Sequence, residues 1–565
     1  MDEHTVPRLA MEVLPVGGQV PRCQDDRVPS SRWPAVLAAA LTLPLLVLPA
    51  APAAAAGPCD RADRVQVPGA ERQRVECQPD LSAVALSLIG RSDASDWAQL
   101  HSKRSTNPPA GAGLQVDGYF PDDSTTNTTG GLNHDSQFVI RMPEKWNGQL
   151  VVTGAPGVRK QYANDVIISD WVLSLGYAYA STDKGNTGTS FFSNGARSAP
   201  GQAVREWHDR VTELTVAAKQ VVAQAYGKAP ARTWMTGISN GGYLTRWQLE
   251  NRPELYDGGV DWEGSLFQGA APNLLTYLPT SLREYPAAQV DPAAAQRMYD
   301  VGFEPGSESL WPDHYAVYWD LTQRVYREAF DPDYDGATLA GTPFCRTGTA
   351  PGTPTACDAD YDYATRPPSV RAALDSVKVT GAIGKPMLTL HGDLDALLPI
   401  KTDSDVYVKM LRAAGKGALH RYYVIEDGNH VDGLVDVQPT ALRPILPCYR
   451  EAFLRLTAWV TTGVEPPASQ TVARPASGDL ANTCTALEAA AAPGAGAPPA
   501  DAPPTDAPPT AAPAAAGTGP STATPRASGP TGTLAATGTS TVLPVLGLLL
   551  LAAVVLRRRR DHVTS

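Results

Sequence analysis

Between about residues 110 and 465, short apolar runs alternate with longer segments whose apolar residues recur at helical spacing. That alternation predicts a mostly parallel sheet covered by helices. Residues 136–142, 149–153 and 178–182 read as early strands, and 233–236, 259–262, 385–390 and 421–425 as later ones. Residues 205–226 read as a long helix, with Val211, Leu214, Ala218, Val221 and Val222 on the face that covers the sheet. The stretch 264–378 interrupts the strand pattern, and its first part has helical character.

One junction in this pattern carries chemistry. The strand 233–236 runs into Gly237-Ile238-Ser239-Asn240-Gly241-Gly242, and a helical segment follows. Small residues at 237 and 241 allow a strained strand-turn-helix bend that lifts the Ser239 hydroxyl above the sheet edge, beside a helix N-terminus that favours negative charge. A serine hydroxyl needs a base, and the base needs an orienting acid. The strand at 385–390 ends in His391-Gly392-Asp393-Leu394-Asp395, and the strand at 421–425 leads to His430. Ser239 as nucleophile, Asp395 as acid and His430 as base stand in the chain order of the α/β-hydrolase fold, here with a mostly parallel sheet and an inserted cap. Asp393 competes with Asp395, His391 reads as a loop-shaping residue, and His208 as structural. The oxyanion hole is expected from the backbone N–H of Asn240 and one N–H of Gly154-Ala155-Pro156-Gly157; Ala155 is the first choice, because Pro156 has none to donate.

Several stretches beyond the elbow are distinctive: Met142-Pro143-Glu144-Lys145-Trp146-Asn147-Gly148, Ala180-Ser181-Thr182-Asp183, and Ala225-Tyr226-Gly227-Lys228-Ala229-Pro230-Ala231-Arg232. With these and His391 to Asp395, residues 110–460 resemble the tannase and feruloyl esterase branch of the α/β-hydrolases. The resemblance implies hydrolysis of carboxylic esters by Ser239, Asp395 and His430. In that family a disulfide joins cysteines preceding the serine and the histidine; Ile238 and Asn429 stand there in this chain. The Ser-Asn-Gly-Gly core also resembles enzymes that hydrolyse hydroxybutyrate oligomers, so phenolic and hydroxyacid esters both stay open.

The cap, 264–378, holds Trp311, Tyr315, Tyr318, Trp319 and Tyr326, which either line an acyl or aromatic-alcohol pocket or pack the cap's own core. Asp331, Asp333 and Asp335 repeat carboxylates at alternate positions, a spacing that suits a structural calcium, as tannase-like caps often hold; a solvated acidic loop is the plain alternative. The ester chemistry itself requires no cofactor.

Composition sets the location and excludes one partner. The net charge of -11 is spread along the chain without a basic, aromatic-rich patch, which argues against nucleic acid. Residues 1–56 read as a signal peptide with an extended n-region, followed by an N-terminal segment, 57–109. The hydrolase core covers 110–263 and 379–465, and 466–533 begins with a Cys484-containing segment and becomes an Ala/Pro/Thr-rich spacer. The segment 534–560 joins Leu534-Ala535-Ala536-Thr537-Gly538, an apolar stretch at 542–556 and Arg557 to Arg560. It resembles an actinobacterial cell-wall sorting signal, which implies a sortase partner, peptidoglycan attachment at Thr537 and an extracellular, wall-anchored protein. Its apolar stretch is expected as a transmembrane helix, and a plain membrane-anchored tail is the alternative. Of seven cysteines, six remain after the signal; proximity favours Cys59 with Cys77, Cys345 with Cys357, and Cys448 with Cys484. A serine peptidase of the same fold, or a catalytically inactive surface-binding module, are the rival functions.

Overall fold

The computed structural model describes residues 57–188, 199–334 and 359–487. The chain divides into two compact units, 1–55 and 56–565; every described residue belongs to the second.

Among the described residues ten strands form one sheet: β1 (Arg72–Gln78), β2 (Gly113–Tyr119), β3 (Gln137–Pro143), β4 (Gln149–Gly154), β5 (Ala178–Thr182), β6 (Arg232–Ile238), β7 (Gly258–Trp262), β8 (Met387–Gly392), β9 (His420–Ile425) and β10 (Gln470–Val472). Their order is β1-β2-β3-β5-β4-β6-β7-β8-β9-β10. The pairs at the β1 end are antiparallel as far as β3 with β5, and every later pair is parallel. The helices used below are α1 (Gln202–Tyr226), α2 (Asn240–Asn251), α3 (Leu274–Ala288), α4 (Pro292–Asp300), α5 (Trp319–Phe330), α6 (Ser404–Ala413) and α7 (Leu446–Thr462).

The central strands are apolar along their length because both faces are covered. On β4, Leu150 and Val152 join the cluster built with Val211, Leu214 and Leu244 of α1 and α2. Val151, between them, points the other way and shares a cluster with Phe453 and Leu456 of α7. This is an α/β-hydrolase fold, and the helices α3, α4 and α5 make up an inserted cap region between β7 and β8.

Two features differ from the sequence expectations. The strand β1, inside the expected N-terminal segment, pairs along all of β2 and so belongs to the sheet. The expected transmembrane helix is corrected: among the described residues no helix is long and apolar enough to cross a membrane, and the apolar stretch 542–556 lies outside them. The signal peptide, the spacer and the sorting signal also lie outside the described residues. Disulfides join Cys59 to Cys77 and Cys448 to Cys484. Cys345 and Cys357 lie outside the described residues.

Candidate active site

Parallel neighbours β6, β7, β8 and β9 end on the same edge of the sheet, and the candidate residues follow those ends. Ser239 comes directly after β6, Glu263 directly after β7, Asp395 beyond β8 and His430 beyond β9. In an α/β sheet this edge is where ligands bind.

Ser239 has φ 59° and ψ -121°, a conformation that a residue with a Cβ adopts only under constraint. The constraint is packing around glycines. A Cβ on Gly237 would lie 2.6 Å from the Gly241 carbonyl carbon, and one on Gly241 would lie 2.7 Å from the Gly154 oxygen. The Ser239 N–H donates to the Trp262 carbonyl at 2.9 Å, tying the turn to β7. The side chain is half-buried at the start of α2, whose first N–H groups have no partner within the helix.

His430 and Asp395 are both buried, and His430 Nδ1 lies 2.8 Å from Asp395 Oδ2. With Nδ1 so engaged, Nε2 is the nitrogen that can face a nucleophile; the tautomer is assigned from the partners. The other Asp395 oxygen, Oδ1, accepts the N–H groups of Leu397 and Leu398, both at 2.8 Å. Burial alone would raise the Asp395 pKa. The His430 charge and the hydrogen bonds of His391 and His430 outweigh it and hold the carboxyl well below the usual range.

A buried polar chain runs from α2, the helix that follows Ser239, to Asp395. Arg246 on α2 donates to Asp261 at 2.7 Å, Asp403 at 2.9 Å and Ser404 Oγ at 2.8 Å. Ser404 Oγ lies 2.7 Å from His391 Nδ1. His391 Nε2 lies 2.9 Å from the Leu398 oxygen and 3.2 Å from Asp395 Oδ2. Burial opposes the His391 charge, but the hydrogen bond and charge of Asp395 raise its pKa above the ordinary value.

The cap reaches both ends of the site from one helix. Trp319 Nε1 donates to the Ala396 oxygen at 2.7 Å, and Tyr326 OH donates to Asn240 Oδ1 at 2.7 Å. These residues are seven apart on α5 and share a face. Trp311, Trp319 and Tyr326 are buried in the cluster of cap and sheet residues. A cavity of about 590 Å³ within the cap is lined by Thr276, Arg283, Tyr361, Arg371 and Asp375 among others, and by none of Ser239, Asp395 or His430.

Several residues are placed differently from their expected use. The Ala155 N–H is not available to an oxyanion, because it donates to the Thr182 carbonyl at 3.0 Å. Asp393 accepts the Asp427 N–H at 2.8 Å and so braces the turn after β9. His208 stacks on Trp247 with centroids 3.9 Å apart and pairs with Tyr243 OH. In the cap, Asp331 accepts Arg366 Nε at 2.6 Å and Tyr361 OH at 3.0 Å, Asp333 is exposed, and Asp335 lies outside the described residues. A cation already sits against the Asp331 carboxylate, so the described donors do not fit a calcium site. Glu263, Asp395 and His430 bring ligand atoms within 4.8 Å of one another, a buried group that could hold a metal ion.

The sequence reading missed three residues. Glu263 is buried, with Oε2 3.9 Å from His430 Nδ1, and burial followed by the Asp395 charge pushes its pKa well above the carboxylate range. Arg246 is fully buried among Asp261, Asp403 and Ser404. His314, in the cap, is buried and near enough to feel the charges of Asp395 and His430. No spacing in the chain signals any of these, since each depends on a distant loop.

Residues 124–261 match the family model described as tannase and feruloyl esterase. That match covers Ser239. Residues 290–506, which carry Asp395 and His430, match a second model, 3HB-oligomer hydrolase. No curated protein matches the chain. Solved structures similar to it include feruloyl esterase B from Aspergillus oryzae, at 14% identity over 71% of this chain and 89% of that one, TM-score 0.39. Tannin acyl hydrolase from Aspergillus niger is 13% identical over 72% of this chain and 87% of that one, TM-score 0.42. Both matching models describe hydrolases, and each covers less than half of this chain.

Proposed function

We propose that the protein is a serine carboxylic ester hydrolase in which Ser239 is the nucleophile, His430 the general base and acid, and Asp395 the group that orients His430. The observation that carries this reading is the buried His430 Nδ1 to Asp395 Oδ2 contact of 2.8 Å on the sheet edge that also bears the strained Ser239 turn.

In the proposed reaction Ser239 Oγ attacks the ester carbonyl carbon while His430 Nε2 takes its proton, giving a tetrahedral oxyanion. Collapse breaks the bond to the alcohol, whose oxygen receives that proton, and leaves an acyl-serine. Water repeats the sequence and frees the acid. The Asn240 backbone N–H is one oxyanion donor, since its side chain is already held by Gly157, Ser265 and Tyr326. The Gly157 N–H is the second: of the four residues 154–157, Gly154 is still part of strand β4, Ala155 is bonded to Thr182 and Pro156 has no N–H.

The substrate is a small ester or oligomer of the phenolic or hydroxyacid kind. Support comes from the two model names, one matched on each side of the active-site edge. The order of segments at 534–560 supports export, processing by a sortase and attachment to peptidoglycan on an actinobacterial surface. The test of the activity is hydrolysis of p-nitrophenyl butyrate by the mature protein and by Ser239→Ala. Loss of turnover in the variant is expected, and equal rates would overturn the reading. A panel of feruloyl, galloyl, hydroxybutyrate and aminoacyl substrates then selects the acyl group, and preference for the aminoacyl member would favour a peptidase.

A further inference from the structure

We propose that His314 of the cap is a specificity residue on the alcohol side of the site: its Nε2 accepts a hydrogen bond from a second hydroxyl on the departing alcohol, so that the preferred substrates are esters of polyhydric alcohols. This rests on the triad proposed above and names the alcohol half of the ester.

His314 is held over the base and the acid. Residues His314–Tyr318 form one wide π-helical turn that leads into α5, and such turns gather at functional sites. The segment is tied down on both sides of His314. Before it, the Ser309 carbonyl accepts Gln438 Nε2 at 3.1 Å, from the stretch that follows His430. After it, Trp319 Nε1 donates to the carbonyl of Ala396, next to Asp395, at 2.7 Å. His314 thus lies between the loops that carry His430 and Asp395, and it feels the charges of both. In the proposed reaction His430 hands its proton to the leaving oxygen, so a cap side chain on the His430 side meets the alcohol rather than the acyl chain.

The ring is set up as an acceptor. It is buried, and Nδ1 lies 2.9 Å from the Leu310 carbonyl oxygen, which only accepts; the proton is therefore assigned to Nδ1. Burial pushes the pKa down to about 4; the Leu310 hydrogen bond and the Asp395 charge oppose that shift, and the His430 charge adds to it. The ring is neutral near pH 7, and Nε2 presents a lone pair with no hydrogen-bond partner among the described residues. His430 does not supply one, because its Nδ1 proton is engaged by Asp395 and its Nε2 serves Ser239. When His430 takes up a proton, its charge further disfavours one on His314, so Nε2 stays an acceptor throughout the reaction. A buried acceptor gains from a partner, and an ester group has no donor of its own. The matching group is a free O–H elsewhere on the alcohol.

The test compares kcat/KM for 2-hydroxyethyl butyrate and 2-methoxyethyl butyrate, which share the acyl group and differ in the donor on the alcohol. The natural protein should prefer the hydroxyethyl ester by about tenfold, the cost of leaving a buried acceptor unpaired. In His314→Phe the preference should fall below about twofold, through loss on the hydroxyethyl ester, whereas His314→Gln, which can offer an oxygen in place of Nε2, should keep at least about threefold. Each ratio comes from one preparation and is independent of the fraction folded; if His314→Phe does not fold, His314→Ala carries the same comparison. No preference in the natural protein, or a preference that persists in His314→Phe, would overturn the proposal. So would a dependence on His314 seen only between ethyl 3-hydroxybutyrate and ethyl 3-methoxybutyrate, which would put the hydroxyl on the acyl side. Turnover retained in Ser239→Ala would sink the triad reading itself, whereas an inactive Ser239→Ala beside a natural protein without preference would sink only the role of His314.

Discussion

Gly237→Ala tests whether the turn that carries Ser239 is held by packing. The added methyl carbon would lie 2.6 Å from the Gly241 carbonyl carbon and 2.7 Å from its Cα. Ordinary contact begins about 0.8 Å farther out, and both atoms are backbone at the start of α2, so β6 and α2 must separate. Overpacking of this kind costs about 1–3 kcal/mol. Ser239 lies at the junction that opens, and a displacement of about 1 Å at a reacting group costs about a hundredfold in rate. The expected result is a fall in kcat/KM of about a hundredfold for p-nitrophenyl butyrate, with a stability loss of about 1–3 kcal/mol in urea unfolding. Gly417→Ala, where a Cβ meets nothing within 4 Å, is the control and should leave both values unchanged. Activity of Gly237→Ala within threefold of the natural protein would refute the packing argument.

Further outcomes follow from the buried charges. Arg246→Met removes the partner of two buried carboxylates, at 2.7 Å and 2.9 Å, and should destabilise the protein by about 3–5 kcal/mol in urea unfolding. Arg246→Lys should recover less than half of that, because one ammonium cannot reproduce the forked contacts, and full recovery would contradict the network. His208 is kept neutral, its pKa pushed down from 6.5 to about 3 by burial and then by Arg205. The unfolded chain therefore takes the proton first, so this contribution is complete above about pH 6.5 and is lost toward pH 3, at about 1.4 kcal/mol per pH unit. His208→Gln should show a shallower loss of stability from pH 6 to pH 4 than the natural protein, and an unchanged slope would contradict the assignment.

The parallel core was legible because strands covered on both faces read as apolar runs, as at 149–153 and 421–425. The strand β1 was not, since Arg72–Gln78 is largely half-exposed and mixes Arg, Gln and Glu with Val and Cys. The Ser239 turn was legible because its backbone demands small residues at fixed offsets. Its surroundings were not. The sequence excluded Pro156 as an oxyanion donor, but that Ala155 is already bonded to Thr182 depends on the pairing of β4 with β5. Glu263 carried no signal, because nothing near it in the chain announces His430. Asp331 has the right spacing for a cation, and Arg366, from beyond the neighbouring segment, supplies one instead.

The proposal of Ser239 as nucleophile is the centre of the account, and covalent trapping tests it most directly. Treatment of the mature protein with a fluorophosphonate, followed by peptide mass mapping, should show one adduct on the Ser239 hydroxyl. The adduct should be absent in Ser239→Ala and form far more slowly in His430→Ala. A protein left unlabelled, or labelled at another residue while esterase activity is lost, would contradict it.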